Sequence, residues 1–275
     1  MKKKVFFQGE HGAFSEEAAF KYFGKNINSN SCYTFEQVFR SVRSTKYAYG
    51  IIPIENSLAG SLHLNYDLLM RYNLQIVGEI NHRISHHLIG IKRSRIKDIK
   101  KIISHPVALQ QCKNFIKTIK SIDVTETYDT AGSVKMLMKS GSINSAAIAS
   151  YSASKLYGGK ILKRNIEDYK ENFTRFLLLS KKKVKTIGKP NKTSIVFTLK
   201  NESGILYKAL SGFAIRGIDL TKIESRPIRE RPFEYYFYLD FVGYIDDINV
   251  KNAIKQLREL TDYIKILGSY PKFMS

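Results

Sequence analysis

Short apolar runs alternate with stretches whose apolar positions recur every three or four residues, and this rhythm holds through the first two thirds of the chain. Val5, Phe6 and Phe7 read as a strand. Ser15 then stands as the N-cap of a helix, with Glu16 and Glu17 at the positive end of its dipole. Further strands are expected at 49–53, 74–80, 87–91, 101–104, 124–128, 146–149 and 176–180. Pro106 opens a helix whose apolar stripe is Leu109, Phe115, Ile116 and Ile119. Asp129 and Thr130 cap another, with Val134, Leu137 and Met138 on its inner face. Strands alternating with helices predict an α/β domain with a largely parallel sheet.

The rhythm breaks at 181–192, which is lysine-rich, holds Gly188, Pro190 and Asn191, and reads as a linker. Beyond it the order changes. A strand at 194–199 precedes a helix at 204–216 with Leu206, Leu210 and Phe213 on one face. Strands at 218–225 and 234–242, a helix at 246–260 and a strand at 264–268 complete β-α-β-β-α-β, the ferredoxin-like order. Two domains are expected, 1–181 and 192–275.

The formal net charge of +21 raises the question of a nucleic-acid partner. Its carriers are short runs such as Lys2-Lys3-Lys4 and Lys100-Lys101, each flanking an apolar segment, which favours a solvated basic surface over a binding tract. Such a surface still draws small anions toward a cleft. Cys32 and Cys112 form no C-x-x-C pair, and Cys112 falls on an apolar helical pattern, which fits a reducing compartment. His82, His86 and His87 lack neighbouring ligands at metal spacing, so no metal is expected. The apolar run after Lys4 stops at Gln8, far short of the roughly 7–15 residues of a secretory core. A soluble, cytoplasmic protein without a membrane partner is expected.

Four polar loops, each following or leading into an expected strand, are candidates for chemistry, since open α/β sheets bind ligands at strand ends. The first is Gln8-Gly9-Glu10-His11-Gly12-Ala13-Phe14-Ser15, two glycines before a helix start, without the lysine of a phosphate-binding loop. The second is Glu55-Asn56-Ser57, three polar side chains after a buried strand. The third is Asp129-Thr130-Ala131-Gly132, which a helix cap alone explains. The fourth is Asn172-Phe173-Thr174-Arg175-Phe176, a hydroxyl and a guanidinium at the mouth of a strand.

Taken together, Gly9-x-x-Gly12-x-Phe14-Ser15, Pro53-Ile54-Glu55-Asn56-Ser57-Leu58-Ala59-Gly60, Asn65-Tyr66-Asp67-Leu68-Leu69, His105-Pro106, Asp129-Thr130-Ala131 and Asn172-x-Thr174-Arg175-Phe176-Leu177 resemble the prephenate dehydratases in order and spacing. Gly204-Ile205-Leu206-Tyr207 and Glu224-Ser225-Arg226-Pro227 resemble that family's regulatory ACT domain. Phe14, Val107, Ser203 and Ile205 depart from the usual Tyr, Gln, Pro and Ala.

The resemblance implies a periplasmic-binding-protein-like catalytic domain of two subdomains. It implies conversion of prephenate to phenylpyruvate, water and carbon dioxide without a cofactor. It assigns catalysis to Thr174, Arg175 and Asn172. Substrate binding falls to Gln8, Gly9, Ser15, Glu55, Asn56, Ser57, Asn65, Thr130 and Phe176. Within this scheme Arg175 pairs with a substrate carboxylate in a cationic cleft. Phenylalanine is the implied effector, bound near Gly204, Ile205, Leu206, Glu224, Ser225, Arg226 and Pro227 between ACT domains of a homodimer or homotetramer. Rival readings are an arogenate dehydratase, a non-catalytic amino-acid-sensing module on the same scaffold, and a nucleic-acid binder.

Overall fold

The computed structural model describes residues 2–183, 191–229 and 231–273. The chain forms two compact units, one of Met1–Tyr72 with Ile80–Leu177 and one of Asn73–Glu79 with Leu178–Ser275.

The chain begins with β1 (Lys3–Gln8), α1 (Phe14–Phe23), β2 (Ile27–Cys32), α2 (Phe35–Ser44), β3 (Ala48–Asn56), β4 (Gly60–Ser61), α3 (His63–Arg71) and β5 (Gln75–Arg83). It continues with β6 (His87–Gly90), β7 (Lys101–Ser104), α4 (Pro106–Gln111), α5 (Lys113–Lys117), β8 (Asp123–Glu126), α6 (Thr130–Ser140), β9 (Ser145–Ala149), α7 (Tyr151–Tyr157), β10 (Lys160–Lys163) and β11 (Phe173–Ser180). One sheet runs β2-β1-β3-β11-β5 with β4 paired to β3, and a second runs β10-β6-β9-β7-β8. The chain leaves the first sheet after β5 and returns only at β11, so two crossings link two α/β subdomains. This is the expected periplasmic-binding-protein-like arrangement.

Both sheets are mixed. β1 pairs in parallel with β2 and β3, and β7 with β8 and β9. β6, the first strand after the crossing, runs antiparallel to β9 and to β10, the last strand before the chain returns. β2 carries no apolar alternation to announce it: it is an edge strand with only Ile27 and Cys32 buried. The expected long helix after Pro106 breaks at Cys112 into α4 and α5. Its apolar side still packs into one core with Leu88, Ile102, Ala146 and Ile148. Cys112 is fully buried there, and burial raises its thiol pKa.

Ser15 does not cap α1. The helix begins at Phe14 behind Ala13, which makes no side-chain cap. Glu16 in the first turn reaches back past the helix start, where its carboxylate accepts from the Gly12 N–H at 2.6 Å and ties the loop to the helix.

The second unit holds β12 (Asn191–Thr198), α8 (Ile205–Ala214), β13 (Leu220–Ile228), β14 (Arg231–Val242), α9 (Ile248–Glu259) and β15 (Ile264–Pro271). Its sheet order β13-β14-β12-β15 is ferredoxin-like. The expected linker at 181–192 falls mostly on residues 184–190, outside the described residues, while Asn191 and Lys192 already belong to β12. α8 and α9 cover one face with Ala209, Phe213, Val250, Ala253, Ile254 and Leu257 against Ile195, Phe197, Leu239 and Phe241. Each large side chain so buried contributes roughly 1.5–3 kcal/mol. In the same unit Lys192 Nζ donates to the Glu79 carboxylate at 2.9 Å, and Phe273 N–H also donates to it at 3.2 Å. These contacts offset the cost of burying both charges. Among the described residues no helix is long and apolar enough to cross a membrane.

Gly268 of β15 lies where a Cβ would stand 2.1 Å from the Ile76 carbonyl oxygen. Backbone cannot yield as a side chain can, so Gly268→Ala is expected to cost at least about 1–3 kcal/mol. Thermal unfolding would show this as a lowered Tm, and an unchanged Tm would contradict so close an approach.

Candidate active site

β3 ends on Asn56, and the turn that follows orients its side chain. Asn56 Oδ1 accepts from the Leu58 and Ala59 N–H groups at 3.0 and 2.8 Å. The amide nitrogen of Asn56 is thereby aimed away from the turn, toward β11. Ser57 ties the same turn to the start of β11. Its N–H donates to Phe173 O at 2.8 Å, its hydroxyl donates to Glu171 O at 2.9 Å, and it accepts from Phe173 N–H at 3.0 Å.

Asn56 Nδ2 donates to Asn172 Oδ1 at 2.7 Å and to Thr174 Oγ1 at 3.0 Å. Asn172 Nδ2 donates to Gln111 Oε1 at 2.9 Å, and Gln111 Nε2 donates back to Asn56 Oδ1 at 3.4 Å. Three carboxamides thus form a closed ring, two from the first subdomain and one, at the end of α4, from the second. His86 joins it through an Nε2···Gln111 Oε1 bond of 3.0 Å. Thr174 Oγ1 accepts from this ring, so its own hydrogen is left for another acceptor.

Beside Thr174 lies a cavity of about 390 Å³. Its polar lining includes Ser15, Asn56, His86, His105, Gln111, Thr130 and Thr174, and its apolar lining includes Phe14, Ile84, Val107 and Phe176. Among the described residues that line it, none carries a carboxylate, an ammonium or a guanidinium. Burial pushes the pKa of His86 and of His105 below the ordinary value, which keeps both neutral at neutral pH. Positive potential comes instead from backbone. Phe14 and Ser15 open α1, Val107 and Ala108 lie in the first turn of α4, and Thr130 opens α6, so the starts of three helices line the cavity, those of α4 and α6 capped by the side chains of His105 and Asp129. His105 Nδ1 accepts from Val107 N–H at 3.3 Å, which puts the ring hydrogen on Nε2 as a donor.

The Gly9–Gly12 loop joins the subdomains at the rim. Glu10 N–H donates to Asp129 Oδ2 at 2.6 Å, and the Glu10 carboxylate accepts from Tyr128 Oη at 2.8 Å and Lys135 Nζ at 3.0 Å. Burial and the Glu10 carboxylate raise the Tyr128 pKa, so the phenol stays a donor. Ser150 Oγ donates to Gly12 O at 2.7 Å. At Gly12, with φ of 89°, a Cβ would meet the Ala153 backbone at 2.8 Å, so only glycine permits this approach.

Of the residues singled out from sequence, Ser15, Asn56, Thr130, Thr174 and Phe176 line the cavity, and fully buried Asn172 stands behind it in the amide ring. Arg175 does not fit its expected place. β11 alternates, so Thr174 and Phe176 face the cavity and Arg175 turns to the other side, where Nη1 pairs with Glu55 Oε1 at 3.1 Å. The cavity is accordingly not cationic in its side chains. Asn65 is also turned away and donates to Pro53 O at 2.6 Å, anchoring α3 to β3. Gln8 and Gly9 sit outside the lining: Gln8 Nε2 reaches Tyr33 O at 3.5 Å, and Gly9 N–H donates to Cys32 O at 2.9 Å.

In the second unit Gly204 is the left-handed N-cap of α8, and Ile205 and Leu206 form its first turn. Glu224, Ser225, Arg226 and Pro227 lie on β13. The register aligns Arg226 with Tyr236, and Tyr236 with Thr198 near the end of β12. Both segments therefore belong to the same end of the sheet.

Sequence reasoning missed Gln111 and the contribution of His86. The signal for Gln111 was present, since it falls three residues after Ala108 and one before Cys112, a polar side chain on an apolar helical face.

Comparison with known proteins agrees with this geometry. A family model described as prephenate dehydratase matches residues 5–184, and one described as ACT domain matches 193–259. An Arabidopsis thaliana chloroplastic protein named arogenate dehydratase/prephenate dehydratase 1 is 41% identical over 285 residues, covering 98% of this chain and 72% of its own length. Among solved structures, GqqA, described as a novel type of quorum quenching acylase, superposes with a TM-score of 0.88 at 33% identity, covering 98% of each chain. The prephenate dehydratase of Arthrobacter aurescens in complex with L-Phe gives a TM-score of 0.88 at 28% identity, covering 98% of this chain and 90% of that one. With its strand-end cavity, its amide-held threonine and these matches along nearly the whole length, the chain belongs to the prephenate dehydratase family and carries an ACT domain.

Proposed function

We propose that this chain is a carbon–oxygen lyase that converts prephenate to phenylpyruvate, with catalysis in residues 1–181 and effector sensing in 192–275. In the reaction the bond from ring carbon to carboxylate breaks to release carbon dioxide. Its electron pair passes through the ring diene, and the ring hydroxyl opposite departs. Thr174 donates its hydrogen toward that departing oxygen, on which negative charge accumulates; the oxygen leaves as water, and a solvent proton restores the Thr174 hydroxyl. The bond from Asn56 Nδ2 to Thr174 Oγ1 is the observation that carries this reading. It polarises the hydroxyl as a donor and steadies charge on Oγ1 as the proton shifts.

The two substrate carboxylates are received by N–H groups at the helix starts and by neutral donors such as His105 Nε2. Arogenate carries an ammonium where prephenate has a keto group. The cavity lining offers no carboxylate to pair with it, and the amide oxygens of Asn56 and Gln111 are already engaged. Prephenate is the substrate this chemistry favours. The ACT segments at Gly204–Leu206 and Glu224–Pro227 supply one half of an effector site, which a homodimer or homotetramer completes for phenylalanine. The cytoplasm is the expected location.

Turnover is read as phenylpyruvate absorbance. Thr174→Ala is expected to lose at least about 10²-fold in kcat, the size of one lost transition-state donor, while Thr174→Ser keeps more. A fully active Thr174→Ala protein would remove the threonine from the reaction. In parallel assays prephenate should be used with the higher kcat/KM, and equal use of arogenate would contradict the electrostatic argument. Millimolar L-phenylalanine should depress the prephenate rate; a flat response would refute phenylalanine inhibition, with Ser203 and Ile205 the first residues to examine.

A further inference from the structure

The ring of Asn56, Asn172 and Gln111 can in principle run in two directions, and only one serves the reaction. In the observed direction Asn56 presents its N–H to Thr174 Oγ1. In the reverse direction Asn56 would present its carbonyl oxygen, and the Thr174 hydroxyl would spend its hydrogen inside the protein. The turn N–H groups of Leu58 and Ala59 hold Asn56 in the useful sense. Gln111 has no such turn. Its contact with Asn56 is long, at 3.4 Å, so its orientation rests on the two donors that converge on Oε1, Asn172 Nδ2 at 2.9 Å and His86 Nε2 at 3.0 Å.

His86 can donate from Nε2 only in one tautomer, and its surroundings select that tautomer. The residue is 2% exposed, and its Nδ1 is buried with no hydrogen-bond partner. A buried N–H without an acceptor is rarer and costlier than a buried lone pair without a donor, so the hydrogen resides on Nε2. Phe14 stands edge-on to the ring at 5.4 Å, and the Glu167 carboxylate accepts from the His86 backbone N–H at 2.9 Å instead of from the ring.

We propose that His86, as the neutral Nε2–H tautomer, is a positioning residue that locks Gln111 into the carboxamide ring in the direction the Asn56 turn sets, and so holds Asn172 and Asn56 in place beside the Thr174 hydroxyl. The proposal deepens the dehydratase reading and rests on it. His86 does not transfer a proton. It acts through Gln111 and Asn172, and burial, which holds its pKa down, keeps one state present at neutral pH.

The side-chain geometry of the substitutes provides the test, because glutamine can place an N–H near the position of Nε2, whereas leucine places none. In the full chain His86→Leu is expected to lower kcat for prephenate at least about ten-fold with KM changed less than about two-fold, and His86→Gln to stay within about three-fold of wild type, the scale of effects from misplaced catalytic groups. A His86→Leu protein with wild-type kcat overturns the proposal, as does a His86→Gln protein no better than His86→Leu. The second measurement needs no variant and no turnover. Nitrogen-15 NMR of the wild-type imidazole between about pH 6 and pH 8 should report a protonated Nε2 and a bare Nδ1. An Nδ1–H tautomer or an imidazolium overturns the proposal even if His86→Leu fails to fold. A wild-type protein that shows the Nε2–H tautomer yet leaves prephenate untouched would instead sink the dehydratase reading.

Discussion

The hydrogen bond that Asn56 donates to Thr174 Oγ1 is the contact on which the proposed chemistry depends. A threonine hydroxyl is a poor acid in water, and it becomes useful only where its hydrogen has one direction to go. Asn56 occupies the oxygen of Thr174 and leaves that hydrogen for the cavity. The rest of the site holds Asn56 still: an adjoining turn fixes its oxygen, Asn172 shares its nitrogen, and Gln111 closes the ring from the other subdomain. Low dielectric strengthens each bond and makes each unpaired group costly, so the arrangement forms as a whole or not at all.

A second constraint is electrostatic. The chain carries a formal charge of +21, yet the cavity lining presents no charged side chain among the described residues. A guanidinium inside so small a cavity would bring its own desolvation cost, and it would hold the substrate carboxylate whose departure the reaction requires. On the proposed reading, partial charges at the helix starts that line the cavity would take the place of a charged side chain and are fixed before substrate arrives. Arg175 is instead spent on Glu55, where the pair spans β11 and β3 behind the cavity. A basic exterior is expected to act at longer range, raising the local concentration of small anions.

Much of this was legible along the chain. The αβ rhythm, the ferredoxin-like order and the cap at Asp129 follow from signals within a few residues of one another, and the structure bears them out. Failures came where local pattern competes with context. Ser15 looked like a cap, but it lies inside the first turn of α1, behind Ala13, which makes no side-chain cap. β2 was invisible because an edge strand can be polar. The stripe from Leu109 to Ile119 is real, although Cys112 breaks the helix that carries it.

By itself the sequence determined most of the strands and several of the helices, which loops carry polar side chains at strand ends, and the family those loops resemble, because these are properties of neighbouring residues. Only the tertiary structure decided how the loops meet. The three bonds of the amide ring join residues 116, 61 and 55 positions apart, and their direction depends on which atom of each carboxamide faces which neighbour. It likewise decided that Thr174 faces the cavity while Arg175, one residue on, faces away. Strand alternation makes the two opposite, but only packing says which of the two faces is the inner one.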